Sequence, residues 1–378
     1  MVLTSILVYG SLTAILFFSG KFAAERQEIR WRMGMDTPFF APEIILALLA
    51  FAFVCGARWN VGADHLSYLK DYQYLQQTGH FFSRDDYEPG FKFISKFFAF
   101  FNIHFFFYFA LWGFLQLFFV LFAFKDERNF YPYFAIIIIL GELFFTWNNG
   151  MRQSLASCIF LYSYKYIEEK HFLKFLITII AASLIHYSAI FCIIFYFILN
   201  RDIPFNKYIY LLLLVISVII GRISFLANFI QNIGQILSAV GYDEYEKTKT
   251  TINNLSNFGG RSLILLTICA VNIWFLPEIY KYFNYGKRIK IFFILYFLGI
   301  ISYFMLLNSS ILARGTYYFS IFQLPSLAYL FLYTKNNKKI IYYGLIALFV
   351  IYSLASYYLD LSRPADFTNY RFFWNHII

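Results

Sequence analysis

The chain has 378 residues, of which 60% are hydrophobic, 24% aromatic and only 14% charged, whereas soluble domains carry about 25% charged residues. That balance excludes an ordinary soluble enzyme and points to a chain solvated by lipid. The net charge of +10 is not a nucleic-acid footprint, because the 31 lysines and arginines are scattered through short connections between apolar runs, where orientation signals are expected.

Apolar runs, each about long enough to cross a hydrocarbon core of roughly 30 Å, fall near 2–20, 39–56, 103–124, 133–147, 153–167, 172–185, 187–199, 208–223, 262–279, 290–307, 315–333 and 340–358. The expected fold is therefore an all-α polytopic membrane protein of 11 to 12 transmembrane helices in one domain, 1–378. The first run has no basic residue ahead of it and is followed by Lys21, unlike a cleavable signal peptide, so it reads as a span. Cys55, Cys158, Cys192 and Cys269 lie in or beside apolar runs without metal-ligand spacing and read as small core residues.

Alternate connections hold 18 of the 31 basic residues, from Lys21, Arg26, Arg30 and Arg32 through Lys125 and Arg128 to Lys335, Lys338 and Lys339. The positive-inside rule then places both termini outside the cytoplasm. Keeping Lys281, Lys287, Arg288 and Lys290 on the cytoplasmic side requires 172–199 to be a broken hairpin turning near Ile185-His186-Tyr187. Three segments on the outer side are long, 57–102, 224–261 and 359–378, so function is expected to face outward. Within the first, Lys92 and Lys96 stand four apart among aromatics, the pattern of an amphipathic interfacial helix. Segment 241–254 is polar and without apolar periodicity, and reads as a loop.

No nucleophile elbow, zincin helix, Walker lysine loop or dinucleotide fingerprint is present. The chemistry-bearing residues form a constellation on the outer side instead. Arg58, Asp64 and Tyr68 follow one span. Gly62 permits a sharp turn before Asp64, and Glu88-Pro89-Gly90-Phe91 ties a second carboxylate to a turn. Arg58 snorkelling at a span end, with solvated Asp64 and Glu88, fits the same residues.

Asn148-Asn149-Gly150-Met151-Arg152-Gln153 ends one span and opens the next. Arg152 in a first helical turn is disfavoured by the dipole, but a guanidinium beside free helix N–H groups suits a diphosphate. His186 sits at the expected helix break, where an ionisable group among lipid-buried segments is costly. Arg314, before a later span, repeats the placement of Arg152. Glu142 reads as a structural hydrogen-bonding acid within a span. Arg363, Asp366 and Arg371 fit loose rim charges equally well.

Taken in order, Arg58 with Asp64 and Tyr68, Glu88-Pro89-Gly90-Phe91, Met151-Arg152-Gln153-Ser154-Leu155-Ala156, Ile185-His186-Tyr187-Ser188-Ala189, and Arg314 with Tyr317 and Phe319 resemble the EpsG family of Wzy-like exopolysaccharide and O-antigen polymerases. The similarity runs from about residue 40 to 330. It implies a membrane glycosyltransferase of the bacterial inner membrane with a periplasmic active face. Its substrate would be undecaprenyl-diphosphate-linked oligosaccharide, its surroundings membrane lipids, and its pathway partners a flippase and a chain-length regulator, with no nucleic acid.

In that chemistry Arg58, Arg152, Gln153 and Arg314 would bind the diphosphate, and Asp64, Glu88 or His186 would take the acceptor's proton. The residues alone do not choose among these three. No cofactor is required, since arginines can neutralise a diphosphate; a divalent cation on an Asp64–Glu88 pair is the less favoured arrangement. An O-antigen ligase or another lipid-carrier-dependent glycosyltransferase would use the same chemistry. A lipid-linked oligosaccharide flippase would instead place polar residues along a central path, often in repeated halves.

Overall fold

The computed structural model describes residues 2–83, 86–141, 143–222, 259–284, 286–306, 314–361 and 369–375. Among these the secondary structure is helical, broken by one isolated antiparallel bridge between Arg58 and Phe372. Two compact units are present, 1–201 with 349–378, and 202–348. Glu142, the turn 308–313, the segment 241–254, and Arg363 and Asp366 lie outside the described residues.

In chain order the first unit contains α1 (Val2–Arg32), α2 (Pro42–Ala57), α3 (His65–Thr78), α4 (Pro89–Phe100), α5 (Phe105–Ala123), α6 (Tyr131–Leu140), α7 (Leu143–Asn149), α8 (Met151–Tyr162), α9 (Tyr164–Glu168), α10 (Phe172–Ile185) and α11 (Ile194–Leu199). Local chemistry sets several of these boundaries. Proline opens α2 and α4, where the missing N–H costs nothing. His104 caps α5 by accepting the Phe106 N–H at 3.2 Å. Arg30 and Arg32 close α1, where a cation complements the dipole.

Among the described residues four helices are long and apolar enough to cross a membrane: Leu3–Arg32, Phe105–Ala123, Gly260–Phe283 and Gly286–Met305. The pair Arg128–Leu140 and Leu143–Asn149, bent by 65°, would make five if it forms a single span. Other apolar helices, such as Pro42–Ala57 and Phe172–Ile185, have 10–17 residues, short against the roughly 20 that a bilayer core asks of a helix. Length and composition alone thus account for four or five crossings among the described residues, and do not establish the expected 11 to 12.

The two ends of the first unit differ in composition. At one end Arg26 pairs with the buried Glu43 at 2.6 Å. Close by, Arg128 donates to the Thr37, Pro38 and Lys125 carbonyls, and the Gln27 amide donates to Lys125 O. The ends of α2, α7 and α10 and the starts of α4 and α8 meet at the other end. The hairpin expected at His186 is present: α10 stops at Ile185, a 3-10 stretch Tyr187–Ile193 returns, and across the pair Phe172 meets Tyr196 edge-on and Phe175 meets it tilted.

The expected interfacial helix is α4, with its polarity differently arranged. Phe91 and Ser95 are buried against the unit, whereas Phe93, Phe97 and Phe100 form an exposed aromatic stripe beside the exposed Lys96. All four cysteines are buried and unbridged.

The second unit packs α12 (Lys207–Ile220), capped by Asn206, with Gly260–Phe283, Gly286–Met305 and Gln323–Asn337. A buried hydrogen bond from Asn272 to Ser326, 2.8 Å, joins two of these helices.

Candidate functional site

Glu88 is the N-cap of α4, with extended backbone (φ −58, ψ 142) and Pro89 in the first helical turn. Pro89 fixes the direction in which the chain enters the helix, and Gly90 fixes how close it comes to α10. A Cβ at Gly90 would lie 2.7 Å from Leu184 O, a backbone atom that cannot swing aside. The start of α4 is thereby pressed against the end of α10, where the helix breaks at His186 in an extended conformation (φ −152, ψ 114).

That approach brings three sequence-distant side chains into one cluster. His186 Nδ1 lies 2.7 Å from Glu88 Oε1, and the Tyr187 N–H donates to the same oxygen at 3.3 Å. Glu88 Oε2 accepts from the Arg152 guanidinium. The side chains are 2%, 12% and 24% exposed for Glu88, Arg152 and His186 respectively, so the histidine is the most open of the three.

An ion pair this deep is stable only when its hydrogen bonds are supplied as well. Three aromatic faces add to them, for the Arg152 guanidinium lies 4.7 Å from the Tyr87 ring, 5.0 Å from Phe91 and 5.9 Å from Tyr68. Glu88 lies in the connection between α3 and α4. Burial alone would raise its pKa, but the hydrogen bond from His186 and the Arg152 charge outweigh that and bring it down to about 2. A carboxylate so acidic is ionised at neutral pH and is a poor proton acceptor.

Arg152 occupies the first turn of α8, as its sequence position implied, and the N-cap residue is Gly150, which makes no side-chain cap. Gln153 follows it and is buried. Asp64 precedes α3, half-buried, with its backbone N–H donated to Asn149 Oδ1 at 3.0 Å. The turn before it needs Gly62 twice over: φ is +90°, and a Cβ would stand 2.8 Å from Asn148 O.

Arg58 is part of a different arrangement from the one expected for a diphosphate ligand. It is fully buried and donates to Cys55 O at 2.9 Å and to Asn148 Oδ1, with its guanidinium over the Phe109 ring at 5.0 Å. Those oxygens belong to the C-terminal ends of α2 and α7, where orphan carbonyls and the negative end of the helix dipole favour a cation. Arg58 therefore clamps two helix ends. Arg314 belongs to the second unit and is exposed.

Several contributors were not singled out from sequence. Asp71 is buried in α3 and accepts from Tyr87 O–H and from the Ser83 N–H at 2.7 Å, anchoring the strand of chain that leads to Glu88. The signal for it was helical spacing, since Tyr68, Tyr72 and Leu75 share its buried face. His65 is wholly buried, its ring tilted over Phe109 at 4.7 Å. Burial, with Arg58 nearby, lowers its pKa well below the usual histidine range, so it is neutral. Tyr370 and Arg371, in a segment that looked like loose rim, dock on the end of α2. Only the structure reveals that contact.

Long apolar helices together with a buried carboxylate that bridges an arginine and a histidine define a multi-pass helical membrane protein with a preorganised ionised site. The EpsG family model matches residues 44–372, a stretch that takes in Arg58, Asp64, Glu88, Arg152, His186, Arg314 and the docked segment around Tyr370. The chain belongs to the EpsG family. No curated protein and no solved structure matches it.

Proposed function

We propose that the chain is a bacterial polysaccharide polymerase, which transfers a growing glycan from a lipid diphosphate to a lipid-linked repeat unit on the extracytoplasmic face of the inner membrane. Membership of the EpsG family supports the class of reaction. The observation that carries the mechanism is Glu88, whose two oxygens hold His186 on one side and Arg152 on the other.

In this reading Glu88 orients and His186 reacts. With Nδ1–H donated to Glu88, the imidazole presents Nε2 as an acceptor, and the adjacent carboxylate stabilises the imidazolium that forms, the logic of a carboxylate–histidine pair. The acceptor hydroxyl of the incoming unit attacks the anomeric carbon of the donor and passes its proton to Nε2. The bond from that carbon to the diphosphate oxygen breaks, and its electron pair leaves with the lipid diphosphate. Negative charge then grows at the leaving group, where the N-terminus of α8 and the Arg152 guanidinium supply fixed positive potential.

Asp64, held beside Asn149, would face the acceptor sugar, and Arg58 would keep the helix ends in place. The short helices would complete twelve crossings, with Lys21, Arg26, Arg30, Arg32, Lys125 and Arg128 toward the cytoplasm. Each linkage consumes only the two lipid-linked sugars, so no cofactor enters the reaction.

The test is a gel profile of surface polysaccharide from cells lacking this gene and complemented with wild type or Arg152→Ala, at matched protein levels. A ladder with wild type and a single repeat unit with Arg152→Ala is the expected result. Long chains that accumulate unattached in the deletion strain would identify a ligase. Failure to export any unit would identify a flippase.

A further inference from the structure

Segment 369–375 returns to the first unit beside Arg58. The Trp59 N–H donates to Arg371 O at 2.8 Å, and Arg58 and Phe372 form the one antiparallel bridge among the described residues. Tyr370 is 1% exposed. Its hydroxyl donates to Val54 O at 2.8 Å, its backbone N–H donates to Ser5 Oγ at 2.8 Å, and its ring meets Tyr9 edge-on at 5.9 Å. Phe373 packs on His104 and Phe105 at the start of α5.

Val54 and Cys55 lie in the last turn of α2, whose carbonyls have no partner within the helix. Tyr370 takes the first and Arg58 takes the second. The same Arg58 then holds Asn148, and the neighbouring Asn149 holds the Asp64 N–H. Three residues beyond Asn149, in the first turn of α8, stands Arg152. A short series of direct contacts thus runs from Tyr370 through the end of α2 and the end of α7 to the helix that carries Arg152.

We propose that Tyr370 is a positioning residue of the candidate site: docked on the end of α2, it completes the cap that Arg58 begins and so fixes α7 and the start of α8, and with them Arg152. The inference rests on the polymerase reading for its kinetic consequence but not for its structural one. Displacing a positioned group by about 1 Å can cost on the order of 10²-fold in rate. A single link in the chain is expected to cost about tenfold when it is lost.

The experiment uses the full chain in proteoliposomes with a lipid-linked oligosaccharide, comparing wild type, Tyr370→Phe, Tyr370→Leu, Asn149→Ala and the Tyr370→Leu/Asn149→Ala double variant. Hydrogen exchange is measured on the same samples. Tyr370→Phe keeps the ring but loses the hydroxyl that caps Val54 O, so its rate should fall between those of wild type and Tyr370→Leu. Tyr370→Leu should lower kcat about tenfold with KM little changed, and exchange should quicken at residues 148–152 rather than throughout the first unit. Because both changes act on one path, the double variant should fall by about tenfold and not by the product of the two.

Unchanged kcat and unchanged exchange at 148–152 in Tyr370→Leu would overturn the inference, as would multiplicative losses in the double variant. If wild type makes no polymer while exchange at 148–152 still quickens in Tyr370→Leu, the polymerase reading fails and the positioning role stands.

Discussion

Two buried arginines at the same end of the first unit are used in opposite ways. Around Arg58 the partners are neutral: the Cys55 carbonyl, the Asn148 amide and the Phe109 face. Around Arg152 the partner is an ionised carboxylate that also holds a histidine. The first arrangement satisfies helix ends. The second spends desolvation energy on three ionisable groups, an expense that packing alone does not justify because apolar residues fill such space at least as well. Buried charge that is connected and partly open is the stronger sign of chemistry.

The sharpest way to break this contrast is to disable one member of the charged cluster without emptying it. His186→Gln keeps a donor to Glu88 but removes the basic nitrogen. Chain extension measured in proteoliposomes should fall by roughly 10²- to 10⁴-fold, at a thermal stability close to that of wild type. Next in size is Gly90→Ala. Its Cβ must displace the Leu184 carbonyl, so α4 moves off α10 and the Glu88–His186 contact opens, with a loss of about 10²-fold in rate and about 1–3 kcal/mol in stability.

Arg58→Lys reverses the pattern. It leaves acceptors at the ends of α2 and α7 unpaired, costing about 1–3 kcal/mol in a thermal unfolding assay in detergent. Because Arg58 also links the end of α2 to α7 and so to the helix that carries Arg152, kcat should fall as well, with KM for the lipid-linked substrate near that of wild type.

The smallest effect is pH dependence. The Glu88 pKa falls from an ordinary 4.5 to about 2 on folding. Its contribution to stability is therefore complete above about pH 4.5 and is lost as pH falls toward 2. The stability difference between wild type and Glu88→Gln should shrink as pH falls across that window. A difference that instead grew with acidity would show that Glu88 is protonated in the folded chain.

The same contrast explains how much could be read in advance. Helical segments, the break at Ile185-His186-Tyr187, the turn at Gly62 and the entry at Glu88-Pro89-Gly90 are local features, written in hydropathy, glycine and proline. They were legible for that reason. Whether an arginine clamps helix ends or meets a carboxylate depends on residues 64 to 98 positions away in the cases of Arg152–Glu88, Arg58–Asn148 and His186–Glu88. One sequence holds no trace of such pairings, so Arg58 and Arg152 looked alike.

Asp71 was within reach, since it shares the buried face of α3 with Tyr68 and Tyr72, but a lone carboxylate in a long outer segment resembles a solvated charge. Tyr370 contacts Ser5 across 365 positions, beyond any local pattern. The number of crossings likewise depends on more than local pattern. Apolar runs mark where lipid-compatible helices lie, whereas crossing depends on how long each helix continues, and several stop after 10–17 residues.

The most direct test of the central claim is chain extension by the purified protein in proteoliposomes containing only a lipid-linked repeat unit, with wild type and His186→Gln side by side. The account predicts a ladder and one released lipid diphosphate per linkage from wild type, and neither from the variant at equal reconstituted amounts. A ladder of equal rate from His186→Gln, or no ladder from wild type with oligosaccharide moved across the bilayer, would contradict it.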